Sequence, residues 1–274
     1  MASIPNYVFT RDYIDNNRIN LQHHQWTELF GYLLHPQIPT TNTNLRVADV
    51  GTGTGAWLTS LGANLPSTAQ LDGLDVSLQA TPPAEWLPGN IRFRRWDIRE
   101  TVPEDLVEAY DVVHIRLLSF VLHNEEIPHI LQNVTKLIKP GGYLQWAEAD
   151  VASFRIEKTN PNNSTEALTR LLSLSQGQDT RLNPKWVPQL AELFSSSGGL
   201  CNVQADVRDA PNHLALAMHE CNLLVHELLA RTTKIESYAK ELEDLMPRVA
   251  AETREGACWA FTRWTVVGMK PLVP

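Results

Sequence analysis

Three glycines at alternate positions, Gly51, Gly53 and Gly55, follow the β-rich run Leu45 to Val50 and lead into a helical stretch opening at Trp57. Glycine accepts the positive φ angles of a tight turn and lacks the Cβ that would hold a ligand off, so such a loop after a first strand builds a nucleotide crevice. The loop alone is ambiguous, because Gly51, Gly53 and Ala56 also satisfy the dinucleotide pattern GxGxxG/A. Asp49, two residues before the first glycine, weighs against NAD: a pyrophosphate would meet an added negative charge there, whereas a ligand with donors or a cation would be held. Neither a Tyr-x-x-x-Lys pair nor a P-loop Lys after the glycines is present.

Later acids extend the pattern. Asp75 closes a second strand candidate, where a carboxylate can bridge both hydroxyls of a ribose. Asp97 ends a third, Ile91 to Trp96, and can accept from an adenine amino group while the Ile98 backbone donates and accepts. His123 follows a fourth strand candidate, at the edge where ligands bind, and is a candidate general base. Trp146, Glu148 and Asp150 come off a fifth at the same rim, Trp146 as a pocket wall and Glu148 to orient a nucleophile. Arg18 can neutralise a carboxylate, and Tyr7 and Tyr13 can cover a cation with their rings.

His219 and His226 lie seven apart, on one face of a helical stretch, and Glu220 and Glu227 repeat the spacing. Without HExxH or HxH they point to a pocket or a solvated face, and no metal is expected. Arg92, Arg94, Arg95 and Arg99 form the basic concentration near the core and read as a solvated edge.

These residues need a scaffold, and the pattern supplies one. Strand candidates at 45–50, 70–75, 91–96, 111–116 and 142–148 alternate with helical stretches, of which 125–137 is the clearest, implying right-handed crossovers and a doubly wound α/β core. Residues 1–35 read as one or two amphipathic helices, with a linker completing 1–44. Beyond 150 follow helical stretches at 164–176, 186–197 and 212–247, a strand candidate at 201–208 and a last one at 261–269. The 274 residues are 43% hydrophobic with 8 Trp, enough for one sizeable core across 1–274, with 45–150 as the ligand-binding part and 151–274 shaping the substrate side.

A net charge of −8, from 23 basic and 31 acidic residues, disfavours a nucleic-acid partner. Three cysteines without a CxxC, no secretory signal in Met1 to Asp15 and no long apolar run give the expectation of a cytoplasmic chain away from membranes.

As an ordered set, Asp49-x-Gly51-x-Gly53-x-Gly55, the strand-end acids and the turn Lys139-Pro140-Gly141-Gly142 resemble the class I S-adenosylmethionine-dependent methyltransferases over roughly 45–150. Arg18 to His24, Asp75-Val76-Ser77 and Trp264 to Pro271 look like a fungal secondary-metabolism subgroup, to which a regulator of that metabolism also belongs. The resemblance implies a Rossmann-like seven-stranded sheet with its last strand antiparallel, N-terminal helices as a lid over S-adenosyl-L-methionine, and an insertion at 210–256 that shapes a small-molecule pocket. Thr52, Val76 and Arg116 complete the expected cofactor set, and His23 and Asn222 join Trp146, His219 and His226 as expected substrate contacts. The expected reaction is in-line methyl transfer to an oxygen of a metabolite by a monomer or homodimer. Transfer to nitrogen or sulfur, a regulator that binds the cofactor without turnover, and a non-methylating cyclase or rearrangement enzyme are the alternatives.

Overall fold

The computed structural model describes residues 11–176, 181 and 184–272; Tyr7 lies outside the described residues. Seven strands form one sheet: β1 (Arg46–Val50), β2 (Gln70–Asp75), β3 (Ile91–Arg95), β4 (Tyr110–Arg116), β5 (Ile138–Lys158), β6 (Cys201–Arg208) and β7 (Ala257–Met269), in the order β3-β2-β1-β4-β5-β7-β6. The first five are parallel, and β7 runs antiparallel between β5 and β6. Order reverses at β1, so the crevice outside the ends of β1 and β4 is the topological switch point.

Helices cover both faces: α1 (Tyr13–Phe30), α2 (Ala56–Gly62), α3 (Ile127–Leu137), α4 (Glu166–Gln176), α5 (Leu190–Ser196), α6 (Asn212–Thr232) and α7 (Glu236–Arg254). Alternate residues of each central strand feed opposite cores. Val47, Val112 and Val267 pack with Trp57, Leu58 and Leu61 of α2. Ala48, Val113, Leu144 and Val266 pack with Ile130, Leu131 and Val134 of α3 and Phe194 of α5. Asp12 starts α1 by accepting from the N–H groups of Ile14 and Asp15, and Gly31, left-handed at φ 71°, ends it.

The expected boundaries are corrected at the fifth strand, the last strand and the stretch 212–247. The fifth strand extends to Lys158 and the last begins at Ala257, because these runs form a ladder with each other, interrupted by an irregularity between Asp150 and Arg155. The stretch 212–247 is two helices, and α7 runs on to Arg254 through Pro247, because Leu242, Leu245 and Val249 are buried against Leu168, Leu171 and Trp259. N-terminal to the sheet, the described residues hold one helix, α1.

Candidate active site

The loop between β1 and α2 is built by three left-handed glycines, with φ of 72° at Gly51, 56° at Gly53 and 74° at Gly55. Its first turn is tied to β2 by Gly51 N–H donating to the Leu74 carbonyl at 2.7 Å. Asp49 is buried beneath the loop, its oxygens receiving Thr52 Oγ1 and His114 Nδ1, each at 2.7 Å. The His114 ring stacks on Trp57 at 3.7 Å, and burial lowers its pKa, so it stands neutral with its Nδ1 proton on Asp49. Asp49 therefore braces the loop, a role that its sequence position did not separate from ligand contact.

Asp75 accepts from Gly53 N–H at 2.9 Å and Ser77 N–H at 3.0 Å. Burial raises its pKa despite these donors, leaving a desolvated carboxylate with spare lone pairs beside the glycines. Val76 beside it is exposed. Asp97 accepts from Arg99 N–H at 3.0 Å, and Asn133 Nδ2 donates to the Ile98 carbonyl at 3.0 Å, so the Ile98 carbonyl is already engaged. Arg99 is no solvated edge residue: it donates to Glu126 Oε1 at 2.7 Å and to the Val121 carbonyl at 2.8 Å, tying the end of β3 to the loop after β4. Arg92, Arg94 and Arg95 are exposed as expected.

Helix α1 lies across this loop. Asn20 accepts from Thr54 Oγ1 at 2.7 Å, His23 Nε2 bonds Ser60 Oγ at 2.9 Å, and the Ile19 side chain faces Gly53. Arg116, at the end of β4, donates to His23 Nδ1 at 3.1 Å. Since arginine only donates, Nδ1 of His23 is the bare nitrogen and Nε2 carries the proton. Burial, then the Arg116 charge, pulls the His23 pKa down to about 3, so His23 positions Arg116 and is unsuited as a substrate base. Among the described residues no carboxylate pairs with Arg116 within 4.0 Å, and burial lowers its pKa to about 10. Arg18, by contrast, is engaged by Asp15 at 2.6 Å and Gln22 at 2.9 Å, and Tyr13 is 74% exposed at the start of α1.

Residues 48–144 match the family model described as a methyltransferase domain. The methyltransferase grgD of a Penicillium species is 37% identical over 145 residues, which cover 50% of this chain and 50% of that protein. The N-methyltransferase gliN of Aspergillus fumigatus is 29% identical over 208 residues, 75% of this chain and 71% of its own. Over residues 48–144 the chain is similar to the methyltransferase domain. For grgD and two further curated relatives, the chain spans about half of their length. The fold is shared with phosphoethanolamine N-methyltransferase 2 of Haemonchus contortus, with a TM-score of 0.53 at 13% identity over 96% of this chain and 58% of that one.

On the acceptor side the structure departs from several expectations. Glu148 is fully buried, and its oxygens receive Leu118 N–H at 2.8 Å, Ser119 N–H at 3.2 Å and Trp146 Nε1 at 2.7 Å. It anchors the turn after β4, where Leu117 is held left-handed at φ 58°, and it does not reach a nucleophile. Trp146 is likewise core, edge-on to Trp186 at 5.2 Å, and not a pocket wall. His219 and His226 are buried edge-on to Trp259, with Nε2 of His219 on Thr253 and Nδ1 of His226 on Ser175. Burial lowers both to about 4, so both are neutral packing residues. Asn222 is half-buried on α6. His123 and Glu126 cap the turn Asn124–Glu126 reciprocally.

Burial pushes Glu148 up to about 7 from its ordinary 4.5. A folded-state pKa above the unfolded one favours folding fully below the unfolded value and loses that contribution as pH rises through the folded value. Thermal melts of the wild type are expected to show a falling contribution between about pH 4.5 and 7, and Glu148→Gln removes that part of the slope. At neutral pH the same variant is expected to cost about 1–3 kcal/mol in denaturant titration, because its amide sets a donor against one of three donors.

Proposed function

We propose that the chain transfers the S-methyl group of S-adenosylmethionine to a heteroatom of a small-molecule fungal secondary metabolite, oxygen being the first candidate. The observation that carries this reading is the left-handed glycine loop at the switch point, faced by Asp75 and roofed by α1. The residues present fit that cofactor: a Cβ on Gly53 would lie on the open side of the loop toward Ile19, and Asp75 is a desolvated acceptor suited to two ribose hydroxyls. Asp97 and the Ile98 N–H would take the adenine, and Arg116, fixed by His23, the methionine carboxylate. When bound, the cofactor supplies an electrophilic methyl on a sulfonium. The chain's share is to align acceptor and methyl and to exclude water, which α1 does from above the loop. A cytoplasmic location belongs to this reading, supported by three cysteines that all stand as free thiols and by no described helix being long and apolar enough to cross a membrane.

For an oxygen acceptor such as a phenol, His123 is our candidate base, half-buried on the loop that follows β4, and its ring would give up the Glu126 N–H cap to take the proton. A nitrogen acceptor is the second reading, favoured by the N-methyltransferase relative gliN; a neutral amine needs no base. Once an acceptor is in hand, His123→Ala is expected to lower kcat at least ten-fold for oxygen with unchanged cofactor affinity. An unchanged kcat removes His123 as the base. The first experiment is calorimetric titration with S-adenosylmethionine, S-adenosylhomocysteine and NAD. Binding of the first two alone supports the reading, and tight NAD binding overturns it. Mass spectrometry then separates a product about 14 Da heavier from a rearrangement or a binder without turnover.

A further inference from the structure

Arg263 sits in mid-β7, opposite Ala149 of β5 on one side and Arg208 of β6 on the other. The ladder carries one sheet face from Arg116 through Ala147 to Thr265, so Arg116 and Arg263 project from the same face. Helices α1 and α6 roof that face: Trp26, Leu29 and Phe30 of the first and Leu214 and Met218 of the second pack with Ala147. Farther along, Cys221 of α6 reaches the Arg18 carbonyl at 3.7 Å.

In this setting Arg263 is 6% exposed, and among the described residues the one hydrogen bond of its guanidinium goes to the Phe261 carbonyl at 2.9 Å. Among the described residues no carboxylate comes within 4.0 Å of it. Asp209, the acid near enough to be felt, is taken by Arg155 at 3.3 Å and Thr262 Oγ1 at 2.7 Å. Burial, with Arg155 beside it, lowers the guanidinium to about 10, so it remains a cation at neutral pH. A buried cation held by one carbonyl is expensive unless a counter-charge joins it. Nε and Nη2 of Arg263 have no hydrogen-bond partner among the described residues. Ala149, facing it from an interior strand, is only half-buried and puts a small side chain beside the fork.

We propose that Arg263 anchors the methyl acceptor, which carries a carboxylate that seats on this guanidinium beneath α6. The proposal rests on the methyltransferase reading and names its substrate class. A carboxylate fits because its two oxygens match the planar fork and one negative charge matches one unpaired cation. A phosphate dianion would call for a second, and Arg155 is already engaged by Glu157 at 2.7 Å and Asp209. The cofactor's own carboxylate belongs elsewhere, since Arg116 lies on β4, tied through His23 to the α2 side of the glycine loop, while β5 separates β4 from β7.

The test uses the full chain saturated with S-adenosylhomocysteine, titrated calorimetrically with benzoate and 2-naphthoate and with the corresponding neutral amides. The acids are expected to bind at least ten-fold more tightly than their amides. Arg263→Met abolishes that preference and Arg263→Lys keeps part of it, with S-adenosylhomocysteine affinity unchanged in both. Near-UV circular dichroism establishes that Arg263→Met is folded; should it not be, the wild-type comparison and Arg263→Lys still decide. Equal binding of acids and amides, no binding of either, or a preference that survives Arg263→Met overturns the proposal. Failure of S-adenosylhomocysteine itself to bind overturns the methyltransferase reading instead, so the two failures are distinct.

Discussion

Asp75→Ala is expected to weaken S-adenosylmethionine binding about 10- to 150-fold, because the carboxylate would accept from both ribose hydroxyls while holding the loop through Gly53 N–H. Asp75→Asn keeps one acceptor oxygen and should fall between the two. Calorimetry measures the affinities, and thermal melts report the smaller structural part, the loss of bonds to Gly53 and Ser77. The pH dependence has a defined sign. Burial raises the Asp75 pKa, so acidification protonates it earlier than an ordinary aspartate, and cofactor affinity falls as pH drops through that raised value. Wild-type affinity in Asp75→Ala would remove the ribose assignment.

Gly55→Ala is expected to be the most damaging single-methyl change in the site. Gly55 is left-handed at φ 74°, and a Cβ there would stand 2.5 Å from Phe93 Cζ. The backbone conformation costs about 1–2 kcal/mol for a non-glycine residue, and the overlap about 1–3 kcal/mol more. For a chain of this size the sum corresponds to a fall in Tm of roughly 5–15 °C. Phe93→Leu in the same chain relieves the overlap but not the backbone term, so the double variant should recover about half of the loss. A Gly55→Ala protein that melts like the wild type would mean that Phe93 moves aside without cost.

Local rules made much of the cofactor side readable. Gly51, Gly53 and Gly55 stand where the turn requires left-handed backbone, and Asp75 closes β2. The acceptor side was legible only in part. Glu148 and Trp146 lie at the expected rim, but even-numbered positions there face α3 and α5, so both are buried in the core rather than aimed into the crevice. Residues missed in the sequence share a cause. Asn133 and Asn20 act through partners 35 and 34 positions away, and Arg263 is buried only by elements distant in the chain.

Taken alone, the sequence determined the sheet class, the glycine loop and the acids after it, because backbone propensity, side-chain period and turn chemistry act over a few residues. Tertiary structure decided the rest: how far β5 and β7 extend, which histidines are neutral packing groups, that Asp49 braces the loop through His114, and that Arg263 lies beneath α6 with no carboxylate partner among the described residues. Each depends on burial and on partners distant in the chain, and desolvation, which sets whether a charge is tolerated or must find a counter-charge, exists only once the helices have closed over the sheet.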